Sequence, residues 1–141
     1  MAEDIRKRVK LGVKKGGGPP PGYRWNVLIP DNVHADAMRI LNKVQYQHVS
    51  GLFHELAKEA DPTHCNTLSI DALEEFHELR EKGGVLNGLN LRVFFLVDKV
   101  KSNLVILGVI KKSNDGPTLP RDKIAPRFRR RQYLSGELTW P

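Results

Sequence analysis

Asn90-Leu91-Arg92-Val93-Phe94-Phe95-Leu96-Val97, then the polar turn Asp98–Asn103, then Leu104-Val105-Ile106-Leu107-Gly108-Val109-Ile110-Lys111-Lys112: this stretch decides the fold. Both apolar runs have strand length and are rich in aromatic and branched residues, so they predict a β-hairpin. Leu104–Ile110 is almost continuously apolar, as a strand covered on both faces must be, which puts it near the middle of a sheet. The hairpin carries cations at Arg92, Lys111 and Lys112. Successive strand residues face opposite ways, so only one of the two lysines shares a face with Arg92 while regular strand continues.

Upstream, Phe76-His77-Glu78-Leu79-Arg80 predicts a short strand, separated from the hairpin by turn residues at Gly83-Gly84 and Asn87-Gly88. Residues 62–72 carry weak signals and are expected to be a connector. Tyr23–Ile29, ending at Pro30, predicts a first strand. Asp31 and Asn32 are candidate caps for a helix whose apolar positions are Val33, Ala37, Ile40, Leu41 and Val44. A second helix is expected from about Gln45, with Val49, Leu52, Phe53, Leu56 and Ala57 on one face and Asp61-Pro62 stopping it. Downstream, Ser113–Pro120 is a loop. A basic helix is expected from Arg121 to about Tyr133, which Pro126 must break or start.

The expected fold class is therefore α+β: an N-terminal strand, a two-helix hairpin, a three-strand antiparallel meander and a short C-terminal helix, with helices on one face of the sheet. The length suits one domain, placed at residues 23–134. Residues 1–22 read as a flexible basic Gly/Pro-rich tail, and residues 135–141 as a frayed terminus.

The formal net charge of +7 is concentrated: residues 111–131 hold eight Lys/Arg against two acids, and residues 1–22 hold six against two. Such a surplus speaks of partners, favouring nucleic acid, an anionic membrane surface or an acidic protein. No apolar run reaches the roughly 20 residues that span a bilayer. The basic start lacks the apolar stretch of a secretory signal. Cys65 stands alone, so no internal disulfide forms, in keeping with a cytoplasmic protein.

Three motifs in order, His77-Glu78-Leu79-Arg80-Glu81, then Asn90-Leu91-Arg92-Val93-Phe94-Phe95, then Val105-Ile106-Leu107-Gly108 running into Lys111-Lys112, resemble the RelE/ParE toxin superfamily, nearest its HigB-like and phage Gp49-like branch. The specific likeness covers residues 76–113. The resemblance implies a RelE-like fold and the toxin component of a toxin–antitoxin system. Such a toxin is a hydrolase: an endoribonuclease that cleaves mRNA on the ribosome and is silenced by a cognate antitoxin protein. Some members inhibit DNA gyrase instead. By position it implies site roles for Arg92, Lys111, Lys112 and Arg80. Family ribonucleases often carry a Tyr or His soon after the last strand, and Ser113–Thr118 has neither. Tyr133 is the nearest such residue.

The residues themselves allow part of that chemistry. Cleavage by the RNA's own 2′-hydroxyl needs a base, charge stabilisation on the phosphate and a proton for the leaving oxygen. Fixed cations supply the second. Arg92 pointing outward would clamp a phosphate bidentately; the competing assignment pairs it with Glu78 or Glu81. Lys111 and Lys112 equally suit edge protection, and Arg80 an ordinary ion pair. His77, beside Glu78, is a candidate acid or base near neutral pH. Arg127, Arg129, Arg130, Arg131 and Tyr133 interleave cations with aromatic rings, as RNA binding or an acidic partner would require. The sequence holds no phosphate-cradling glycine loop, metal motif or nucleophile elbow, so neither a metal nor another cofactor is expected. A non-catalytic nucleic-acid-binding protein on the same fold is the alternative function.

Overall fold

The computed structural model describes residues 19–113 and 115–138. The expected tail therefore lies outside the described residues except for its last four positions, and so do residues 139–141 of the expected frayed end. The class is α+β, as expected. The elements are β1 (Asn26–Leu28), α1 (Asp31–Ile40), α2 (Lys43–Lys58), β2 (Ser69–Ala72), β3 (His77–Lys82), β4 (Asn90–Asp98), β5 (Asn103–Lys112) and α3 (Ile124–Ser135), with short 3₁₀ turns at Gly84–Leu86 and Pro120–Lys123.

The sheet has five strands in the order β1-β5-β4-β3-β2. β1 runs parallel to β5, and the other neighbours are antiparallel. This corrects the expected three-strand meander. The supposed connector supplies a further edge strand, with Ile70 opposite Leu79 and Asp71 opposite Glu78. Its three exposed positions among four hid it, because an edge strand need not show a buried apolar run. β5 is an interior strand, between β1 and β4, and almost wholly buried, as its apolar run requires.

The helices divide at Asn42. Its side chain accepts from the backbone N–H of Gln45, and the Gln45 side chain accepts from the backbone N–H of Asn42, closing a capping box. Neither Asp31 nor Asn32 is the N-cap of α1. Pro30 holds that place without a side-chain bond, and Asp31 sits in the first turn. Pro126 lies in the first turn of α3, where its missing N–H has no helical acceptor to lose. Gly136 closes α3 at φ +79°, a left-handed cap.

Helices cover both sheet faces rather than one. On the first, α1 and α2 bury Val33, Ala37, Leu41, Tyr46, Val49, Leu52, Phe53 and Leu56 against Leu79, Leu91, Val93, Phe95, Leu104, Ile106 and Val109. On the second, Leu28, Phe76, Phe94, Val105 and Leu107 form a smaller cluster, joined by Tyr133 of α3. The hairpin register explains the assignment. Phe94 pairs with Gly108 and Phe95 with Ile106, leaving Leu107 as the extra residue of a β-bulge. Gly108 lets α3 approach: a Cβ there would lie 3.2 Å from both Phe94 and Pro126.

Candidate functional site

Strand parity sorts the predicted residues. β3, β4 and β5 align Glu78 with Phe94 and Gly108, Arg80 with Arg92 and Ile110, and Lys82 with Asn90 and Lys112. All of these belong to the α3 face. Arg80, Lys82, Arg92 and Lys112 thus converge on one end of one face, where Lys82 and Lys112 are two strand spacings, about 10 Å, apart. Three of the four are sequence-predicted residues. The other two predicted here do not join them: His77 aligns with Phe95 and Lys111 with Leu91, both on the α1/α2 face.

Arg92 was expected to project as a phosphate clamp. It is instead fully buried. Its guanidinium donates to Thr118 Oγ1 at 2.9 Å and to the carbonyl of Gly116, and lies 3.6 Å from Glu78, itself fully buried. Thr118 donates in turn to Glu78. The pairing with Glu78 that sequence offered as the alternative is the one formed. The Arg92 Nε is buried without a partner. Lys112 is also mostly buried, 2.8 Å from Asp122. Burial pushes the Asp122 carboxyl up, but hydrogen bonds from Lys112 and the Leu119 N–H outweigh it and leave its pKa below the usual value.

The accessible cations are Arg80 and Lys82. Arg80 Nε lies 3.1 Å from Glu78 and 3.3 Å from Asp71, with a third of its side chain exposed. Lys82 reaches Asp115 at 2.7 Å. Asn90 donates to the other oxygen of Asp115 at 2.8 Å. A cleft of about 530 Å³ opens here, lined by Lys82, Gly83, Gly88, Leu89, Asn90, Ser113 and Asp115. Sequence reasoning missed Lys82, although it follows Arg80 by one strand period. It also missed the strap over the cationic face: residues 115–120 looked like a plain loop, and Asp122 was placed in a helix that starts only at Ile124.

His77 stacks on Phe95 with ring centroids 5.8 Å apart. Burial lowers its pKa, so its neutral form is favoured. It lines a second cleft of about 270 Å³ with Asp61, Glu74, Glu75 and Lys99, away from Arg92.

The basic helix serves the fold at three of its five predicted positions. Arg129 donates to the bulged carbonyl of Leu107 at 3.1 Å and to Asp36 of α1 at 2.8 Å. Arg127 pairs with Glu75 at 3.1 Å. Tyr133 donates to Asp98 at 2.6 Å and accepts from Asn103 at 2.9 Å. Burial, then the bond to Asp98, pushes its pKa up to about 12. Asp98 lies six residues from Arg92 along β4, about 20 Å, so Tyr133 cannot share a phosphate with Arg92. Arg130 is half-buried with its Nε unsatisfied, while Arg131 is exposed beside Phe128, itself 55% exposed.

Among the described residues no His/Cys/Asp/Glu group is arranged to hold a metal ion, and no helix is long and apolar enough to cross a membrane. Cys65 is buried. A scan of protein-family models and searches of curated proteins and of solved structures find no match to this chain.

Proposed function

We propose that this chain is a RelE/ParE-type toxin that binds RNA through the cationic end of its sheet. One observation carries the proposal: three neighbouring strands place Arg80, Lys82, Arg92 and Lys112 on one face. Arg80 and Lys82 are the two of the four open to solvent, and cations fixed on rigid strands meet a phosphate backbone without prior ordering; Arg92 and Lys112 lie beneath the strap. The order strand, helix, helix, antiparallel strands, helix, with the first strand parallel to the last, supports a RelE-like fold. The added edge strand β2 and the strap over Arg92 set it apart from a compact version of that fold. Messenger RNA on the ribosome is the proposed target, and an antitoxin the proposed partner.

Binding is favoured over cleavage. Each carboxylate beside the cations is already engaged: Glu78 is buried and bonded to Thr118 and Arg80, and Asp71, Asp115 and Asp122 are ion-paired with Arg80, Lys82 and Lys112. His77 faces the other way, and Tyr133 is at the far end. The non-catalytic form of the proposal therefore has the stronger support, with mRNA endoribonuclease activity as the second reading.

The test uses the purified chain and a fluorescent single-stranded RNA. Arg80→Ala with Lys82→Ala should weaken binding and flatten its salt dependence by about 0.7 in log–log slope for each lost phosphate contact. Unchanged affinity and slope would remove the proposal. Expression in bacteria with mapping of RNA ends separates the two readings. New 5′ ends that vanish in the double variant select cleavage, and intact messages select binding. DNA damage with intact messages would instead redirect the target to gyrase.

A further inference from the structure

We infer that the Lys82–Asn90 seat is a phosphate subsite, and that Asp115 occupies it as a built-in competitor for an RNA phosphate. This rests on the RNA-binding proposal and names the part of the face where contact begins.

The carboxylate of Asp115 receives one donor on each oxygen: Lys82 Nζ at 2.7 Å and Asn90 Nδ2 at 2.8 Å. A phosphate offers two oxygens to the same two donors. The donors stand on adjacent strands, β3 and β4, at directly paired positions, so their spacing is set by the sheet and not by the loop. The anion stands on the loop after β5. Rigid donors with a loop-borne acceptor are the arrangement in which the acceptor can be exchanged.

Exposure decides which strap contact gives way first. Lys82 and Asp115 keep 62% and 67% of their side-chain surface, whereas Lys112 and Asp122 keep 10% and 16%. An exposed pair contributes little, so a phosphate displaces Asp115 with a loss of no more than a few-fold in affinity. Displacing Asp122 would strand a nearly buried lysine. The seat also opens on the 530 Å³ cleft, which falls in the range of small-ligand sites and fits one nucleotide. Ser113 lines the same cleft and adds a hydroxyl donor. The ligand class is thus the backbone phosphate of single-stranded RNA. Hydrolysis is not required.

The experiment is a mutant cycle on the full chain, read as affinity for a ten-nucleotide single-stranded RNA across a salt series. Asp115→Asn should tighten binding several-fold at low salt and steepen the log–log salt slope by about 0.7, the counterion released from the RNA phosphate that Lys82 newly neutralises. Lys82→Ala should weaken binding. In the Lys82→Ala background, Asp115→Asn should gain nothing, because the competitor acts through that lysine. A gain of equal size in both backgrounds would reduce Asp115 to general charge repulsion and overturn the inference. So would an unchanged affinity for Asp115→Asn. In either case a loss on Lys82→Ala leaves the RNA-binding proposal standing. If neither the wild type nor any variant binds RNA at low salt, both fall. All four proteins are compared at equal melting temperature, which these exposed positions should preserve.

Discussion

The two faces of the sheet solve burial differently. The α1/α2 face is apolar along β4 and β5 from Leu91 and Val109 to Leu104, with the exposed Lys111 beyond. The α3 face is apolar only at one end, where Phe94, Val105 and Leu107 pack. Its other end buries Arg92 and Glu78 beneath a strap held by hydrogen bonds. The first face could be repacked with any apolar set of equal volume and would still fold. The second keeps polar groups where apolar ones would be simpler. A buried ion pair is weak support for stability, because desolvation offsets most of its attraction. Its retention beside exposed cations points to a role in placing the strap.

The comparison breaks most sharply at Arg92. Arg92→Ala removes one of the two cations beside the buried Glu78 carboxylate, opens a cavity and strips the strap of its donor, and should cost about 3–5 kcal/mol in denaturant unfolding. Leu91→Ala, its neighbour on the other face, should cost about 2–5 kcal/mol through a cavity. The two losses differ in their cure. Arg92→Met combined with Glu78→Leu should recover most of the stability, whereas no substitution of a polar partner rescues Leu91→Ala. If the double change remains as unstable as Arg92→Ala, the charged network is itself a source of stability and the contrast between the faces is wrong.

A smaller effect tests how α3 is attached. Arg129→Ala removes the donor to the Leu107 carbonyl and the partner of Asp36. Hydrogen bonds to a charged group of this burial contribute about 1–3 kcal/mol, and urea midpoints should fall accordingly. A loss below a few tenths would show that Pro126, Arg127 and Tyr133 suffice to hold α3.

The smallest effect concerns pH. The Tyr133 phenol is raised from 10.0 to about 12, so the fold favours its neutral form. Its contribution is complete below pH 10 and is lost as pH rises through about 12. Ultraviolet titration should show Tyr133 ionising late, as the difference between the wild type and Tyr133→Phe. Tyr133→Phe should remove that late step, and its stability should depend less on pH between 10 and 12. A difference curve with its midpoint near 10 would detach α3 from the β4–β5 turn.

Much of the fold was legible because hydrophobic periodicity survives without tertiary information. The apolar run Leu104–Ile110 announced a central strand, and the spacing of Val49, Leu52, Phe53 and Leu56 announced the buried side of α2. β2 was not legible, since Ser69–Ala72 earns its strand geometry from pairing with β3 rather than from its own residues. The candidate site was half legible. Arg80, Arg92 and Lys112 do converge. The burial of Arg92 was hidden because it depends on Gly116 and Thr118, more than twenty residues downstream. Arg129 read as a surface cation because nothing local reveals a bulged carbonyl that needs a donor.

That bulge has one more consequence. Counted by twos from Leu104, β5 would send Lys111 toward Arg92 and Lys112 away from it. Leu107 shifts the count by one, as an inserted letter shifts a reading frame, and the two lysines trade places. Pairing Leu107 regularly into the ladder would therefore exchange Lys112 for Lys111 on the cationic face without changing the charge of the chain, whereas deleting it would leave Lys112 in place. Either change would withdraw the bulged carbonyl that Arg129 holds, so the choice of lysine and the docking of α3 both depend on how one residue is paired.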